Sequence, residues 1–124
     1  MIIVNLYYTG INGNARKFAE EMESSGTADK TRSEAGNIRY EYFFPVKDPE
    51  TVLLIDAWEN QEAIDAHHAS EMMQIIASLR EKYDLHMKVE RYVSDDEYKA
   101  DRDSGFIRKQ EAYRGNATAS LYSF

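Results

Sequence analysis

The side chains best suited to chemistry are two adjacent histidines, His67 and His68, with Trp58 nine residues before the first and Asn5 inside an apolar run near the start. A neutral imidazole is a natural general base at neutral pH. On a helix the two rings point roughly 100° apart, so both cannot face one pocket squarely. His68 falls in line with Ile64, Met72, Ile75 and Leu79, which reads as a core-edge position, and His67 flanks that stripe. Asn5 needs hydrogen-bond partners if buried, and reads equally as a holder of a substrate oxygen and as a structural amide. Trp58 offers a flat pocket wall or plain core. The hydroxyls of Tyr7, Tyr40 and Tyr42 could donate to a bound oxyanion, although with nine tyrosines in the chain packing is the competing role of each. Arg39 could neutralise an anion but alternates with Glu41 as a surface strand charge would. His86 alternates with Lys88 and Glu90, a pattern of a solvated or paired strand face. No metal site is expected: histidines at i and i+4 are missing, and His67 with Glu71 is too loose a pair. Gly10 to Asn14 lacks the lysine and the length of a phosphate loop.

Composition narrows the partners. The chain has 124 residues, one domain's worth with a tail to spare. Its net charge of −7 disfavours both phosphate backbones and anionic lipid, so neither nucleic acid nor a membrane is an expected partner. No apolar run approaches the roughly 20 residues of a membrane span, and Met1 to Thr9 lacks the features of a signal peptide. Cysteine is absent. That removes disulfides, thiolate metal sites and cysteine nucleophiles together, and fits a reducing cytoplasm.

These side chains must be positioned by a small set of elements. Ile2 to Thr9 is β-branched and aromatic and reads as a strand. Gly10 to Asn14 breaks it, and Ala15, Phe18, Ala19 and Met22 recur at helical spacing up to a stop at Gly26. Residues 27–37 are polar and read as irregular, ending in the turn signal Glu34-Ala35-Gly36-Asn37. Ile38 to Phe44 and Thr51 to Glu59 are strands, expected to pair antiparallel across a connection that holds both prolines. Residues 60–82 are helical, with Ser70 able to cap a second segment, so one kinked helix or two short ones are open. Leu85 to Val93 is the last strand. The order strand, helix, strand, strand, helix, strand predicts an α+β, ferredoxin-like βαββαβ domain over residues 1–94, with a four-stranded antiparallel sheet and both helices on one face. Residues 95–124 form a charged extension with scattered aromatics.

Two helices cover only one face of such a sheet. Yet Val52 and Leu54 point one way and Leu53 and Ile55 the other, and the first strand is similarly two-sided. Each large apolar side chain buried contributes roughly 1.5–3 kcal/mol. The second face therefore predicts a homodimer with sheet against sheet. The alternative cover is the extension itself, through Tyr98, Phe106, Tyr113, Tyr122 and Phe124.

The segment Trp58-Glu59-Asn60-Gln61-Glu62-Ala63-Ile64-Asp65-Ala66-His67-His68 resembles the antibiotic biosynthesis monooxygenase family, which includes quinol monooxygenases. Members end the third strand with a Trp, open a charged, Ala-containing helix, and place a His nine positions after the Trp. Many carry a second His five residues further on; that position here is Met72, and His68 is extra. The resemblance covers residues 1–94 and implies a dimeric α/β barrel with a pocket between each sheet and its helices. It also implies oxidation of a small aromatic substrate, a quinol or polyphenol, by molecular oxygen without metal, flavin or haem. On that reading no cofactor is expected. His67 and Asn5 are the catalytic candidates, and Trp58, His68, Tyr7 and Tyr42 bind substrate. The same fold also hosts isomerases and haem-handling proteins, so an isomerase or a non-catalytic ligand- or haem-binding dimer is the alternative.

Overall fold

The computed structural model describes residues 1–108, and Tyr113, Tyr122 and Phe124 of the expected covering tail lie outside them. The chain divides into two compact units, Met1–Ser94 and Asp95–Phe124. The first unit holds four strands, β1 (Ile2–Thr9), β2 (Asn37–Phe43), β3 (Thr51–Trp58) and β4 (His86–Val93). It also holds four helices, α1 (Asn14–Ser24), α2 (Thr27–Arg32), α3 (Gln61–His68) and α4 (Glu71–Lys82). In the second, Ala100–Phe106 forms a 3₁₀ segment. Among the described residues no helix is long and apolar enough to cross a membrane.

The sheet is antiparallel throughout, in the order β2-β3-β1-β4, which is the ferredoxin-like arrangement. Among the described residues it is open, with β2 and β4 at its edges, and does not close into a barrel. Register assigns the faces. Val4, Leu6 and Tyr8 of β1 lie opposite Asp56, Leu54 and Val52 of β3, and these six share the helix-covered face. Phe18 and Met22 of α1, Ile76 and Leu79 of α4, and Tyr40 of β2 complete that core. Phe18 packs against Tyr8 at 4.9 Å between ring centroids and edge-on to Tyr42 at 6.1 Å.

Two expectations about the helices change. Residues 27–32 are not irregular: they form α2, which buries Thr27, Ala28 and Thr31. Gly26, at φ 80°, both ends α1 and precedes α2, a left-handed step open to glycine. One and a half turns with two threonines leave no apolar period to read, and tertiary burial supplies the stability instead. Residues 61–82 are two helices. Asn60 caps α3 by accepting from the Ala63 N–H at 2.9 Å, and Ser70 caps α4 by accepting from the Met73 N–H at 3.3 Å. That break resets the helical phase. The buried residues are Ile64 and His67, then Ile76 and Leu79, while His68 and Ile75 are exposed. The continuous stripe through His68 and Ile75 does not exist.

The outer face carries Ile3, Asn5 and Tyr7 of β1 beside Ala57, Ile55 and Leu53 of β3. Charges sit only at its two edges. Arg39 pairs with Glu41 at 3.1 Å on β2, and Lys88 lies 3.9 Å from Glu90 on β4.

Candidate active site

The inner sheet face and helices α3 and α4 enclose a cavity of about 260 Å³. Val4, Leu6, Leu54, Ile64, Met73 and Ile76 make its apolar wall, and Met87, Val89 and Arg91 of the edge strand β4 also line it. The polar groups inside are few: Asp56, Trp58, His67, His68, Tyr40 and Arg80. An apolar chamber with a handful of convergent polar groups is the usual form of a small-molecule site. Its volume falls just below the roughly 300–1,000 Å³ of drug-sized ligand pockets, so it suits a ligand of one or two rings.

His67 is the best-supported base. It is 6% exposed and stacks on the Trp58 indole, with centroids 4.8 Å apart and planes at 30°. Its Nδ1–H donates to Glu34 Oε2 at 2.6 Å. Burial pushes the imidazole below its ordinary 6.5, outweighing the opposite pull of Glu34. The ring is therefore neutral at pH 7, with the proton on Nδ1 and the lone pair on Nε2. Among the described residues Nε2 has no hydrogen-bond partner. A carboxylate behind a histidine fixes its tautomer and stabilises the imidazolium formed when it takes a proton.

Glu34 reaches His67 through a tight turn. Gly36 sits at φ +82°, and its carbonyl accepts from the Glu59 N–H at 2.8 Å. A Cβ at Gly36 would stand 2.5 Å from Cβ of Ala63 on α3. Gly36→Ala is expected to destabilise the chain by roughly 1–3 kcal/mol, through both the positive φ and the clash. A lowered urea midpoint measures the loss.

Asp56 lines the same cavity at 6% exposure. Burial pushes its carboxyl up to about 7, the neighbouring charge of Glu34 adds to this, and the Trp58 N–H and Arg80 oppose it. Arg80 donates to the Tyr8 hydroxyl at 2.9 Å and lies over that ring, 5.3 Å from its centroid. The Tyr40 and Tyr42 hydroxyls bond each other at 3.2 Å, and burial raises both well above the ordinary phenol value of 10.0.

The structure brings together three of the six site residues named from sequence: Trp58, His67 and His68, the last exposed at the margin. Asn5 and Tyr7 do not join them. Both point from the outer face of β1, where Asn5 lines a separate recess with Ile3, Ile38, Arg39 and Ile55. The physical reason is alternation: Ile2 is the β1 partner of Trp58, so even-numbered β1 residues face the cavity and odd-numbered ones face away. Tyr42 lies under α1 beside Ala19 and Phe44, away from His67. Sequence reasoning missed Asp56, Glu34 and Arg80. Asp56 had a signal, a lone acid at an inward position of Val52-Leu53-Leu54-Ile55-Asp56-Ala57-Trp58. Among the described residues no three His, Cys, Asp or Glu side chains converge as a metal site would require.

Comparison with known proteins follows this geometry. No curated protein sequence matches the chain. Among solved structures, a Deinococcus radiodurans protein named as a candidate antibiotic biosynthesis monooxygenase superposes with a TM-score of 0.69 at 18% identity, covering 80% of this chain and 97% of that one. A Nitrosomonas europaea protein of the same designation gives 0.66 at 16% identity, over 77% and 99%. A Bacteroides thetaiotaomicron protein described as a possible oxidoreductase gives 0.65 at 20% identity, over 73% and 94%. At these identities the likeness establishes a shared fold. The family model for antibiotic biosynthesis monooxygenases matches residues 1–78, well over half of the 124, and the chain belongs to that family.

Proposed function

We propose that this protein is a cofactor-independent monooxygenase that oxidises a small quinol-like or polyphenolic substrate with molecular oxygen. The observation that carries the reading is a buried, neutral His67, backed by Glu34 and opening on an apolar cavity of about 260 Å³. Nε2 takes a phenolic proton, and the resulting anion is electron-rich enough to reduce oxygen directly. The balance is closed by the substrate alone: a quinol and one O₂ become a hydroxyquinone and one water. Trp58 supplies a flat wall for the ring, and His68 stands at the margin. The test is oxygen consumption by purified protein after metal chelation, across a panel of benzene and naphthalene quinols. Uptake several-fold above autoxidation is expected. Uptake at the autoxidation rate for every member would overturn the reading, and turnover that persists without oxygen would favour an isomerase.

The same proposal includes a homodimer joined through the outer face. Ile3, Leu53 and Ile55 form a half-buried apolar centre, flanked by edges that each carry both signs of charge. Asn5 adds a buried Oδ1 without a partner, which a facing subunit can supply. Ile55→Glu would place a charge at that centre. Light scattering is expected to return twice the chain mass for the natural sequence and the single-chain mass for the variant. A natural chain that is monomeric at micromolar concentration removes this part of the proposal. The absence of cysteine accords with work in a reducing cytoplasm.

A further inference from the structure

The dyad of His67 and Glu34 leaves other polar groups of the cavity unused. Two of these have unmet hydrogen-bonding capacity. Asp56 Oδ1 and Arg80 Nε are both buried without a partner, although both residues line the cavity. Buried polar atoms without partners are rare and point to a bound ligand or ordered water. Asp56 is more than nine-tenths buried, so its orphaned oxygen is costly to leave unmet. Arg80 is held by the Tyr8 hydroxyl through a terminal nitrogen, which leaves Nε–H as its remaining inward donor. Residues 56 and 58 share one strand face about two residue rises apart, roughly 6.6 Å. His67 stacks on Trp58, and both line the same cavity as Asp56 and Arg80.

We propose that Asp56 and Arg80 form an oxygen-binding subsite that donates hydrogen bonds to a carbonyl or hydroxyl oxygen of the ring compound. The inference rests on taking this cavity as the ligand site, and not on the oxygen chemistry. Asp56 acts as a neutral acid whose O–H donates; with its carboxyl near 7, it is mostly protonated just below neutrality. The charged and titratable groups facing it are Glu34 beyond α2, Arg80 of α4, Tyr8 of β1, Tyr40 of β2, His67 and His68 of α3, and Arg91 of β4. Burial holds both tyrosines above their ordinary value, so they stay neutral through the pH range that titrates Asp56. The subsite selects for oxygenated rings over plain hydrocarbons, because an unoxygenated ring would leave Asp56 and Arg80 unpaired.

The test needs no turnover. Trp58 is the only tryptophan and lines the cavity, so quenching of its fluorescence reports binding there. The probes are 1,4-naphthoquinone and naphthalene, which are uncharged at every pH and share one fused-ring carbon skeleton, the quinone adding two carbonyl oxygens. The cysteine-free chain offers no thiol to add to the quinone. At pH 6.5 the natural protein is expected to bind the quinone about tenfold more tightly than naphthalene. That advantage is expected to shrink about tenfold by pH 8.5, as Asp56 loses its proton and presents a carboxylate to the carbonyl. Asp56→Asn keeps a donor that cannot ionise, so its preference stays flat over the same range. It carries every other group of the cavity unchanged, so any pH effect that does not come from Asp56 is subtracted. Asp56→Ala lowers the preference at pH 6.5 to the part that Arg80 alone supplies, and leaves that part flat with pH. Equal affinities for the two probes in the natural protein, no quenching by the quinone, or an Asp56→Asn chain that still loses its preference at pH 8.5 would each overturn the proposal. Should Asp56→Ala fail to fold, the near-isosteric Asn variant decides alone. A quinone-binding protein with these properties but no oxygen uptake would sink the monooxygenase reading and leave the subsite standing.

Discussion

His67→Gln is expected to lower kcat/KM for quinol oxidation by about 10²–10⁴-fold, the contribution of a positioned general base. Glutamine keeps polar atoms near the Glu34 carboxylate but offers no basic nitrogen. The pH profile of the natural enzyme carries the sign. Only neutral His67 can accept a proton, and burial holds its value below 6.5. Activity therefore rises as pH climbs through that value and levels off near neutrality. Removing Glu34 as Glu34→Gln deletes the interaction that raises His67, so the ascending limb shifts to lower pH. The plateau rate falls because the imidazolium loses its stabilising carboxylate. Steady-state oxygen uptake from pH 5 to 8 measures both effects. A His67→Gln enzyme within a few-fold of the natural rate would remove His67 as the base. A profile that falls through acid-to-neutral pH would reverse the protonation state required.

Trp58→Ala is expected to carry the largest cost in stability, roughly 3–5 kcal/mol. Folding of a domain this size is worth only about 5–15 kcal/mol in total. The side chain is 1% exposed, forms one wall of the cavity and stacks on His67, and its indole N–H opposes the rise of the Asp56 carboxyl. Alanine would leave a void beneath His67 and remove the N–H that moderates the rise of Asp56. Urea unfolding should show a lower midpoint at unchanged slope, the signature of lost stability rather than altered compactness. Trp58→Phe separates the two roles. It keeps most of the packing, so its loss should be about 1 kcal/mol. It still deletes the N–H, so Asp56 should titrate above its present value near 7. A Trp58→Ala chain that unfolds at the natural midpoint would show that the indole is not part of the packed core.

Much of the site was visible in residue order. Trp58 and His67 stand nine apart, and the structure stacks them because β3 runs directly into α3 through the short capped turn at Glu59 and Asn60. Asn5 is legible as a polar residue in an apolar strand, but the face it takes is not. Alternation alone cannot say which set of strand residues meets the helices. The pairing of Ile2 with Trp58 says it, and pairing is a relation between strands 56 residues apart in sequence. The choice between His67 and His68 likewise waited on the break at Ala69 and Ser70, which separates the phases of α3 and α4.

The sequence by itself determined the order of the main elements, the ferredoxin-like class, the apolar second face of β3 and the Trp–His segment of the family, because alternation, helical period and capping act between residues close in the chain. Only the tertiary structure decided that Glu34 meets His67 across 33 positions, and that Asp56 and Arg80 face one cavity. It also decided that Asp56 rises to about 7 while His67 falls. Those properties come from burial and from charges brought together by folding, and a carboxyl or an imidazole carries no record of either in its neighbours along the chain.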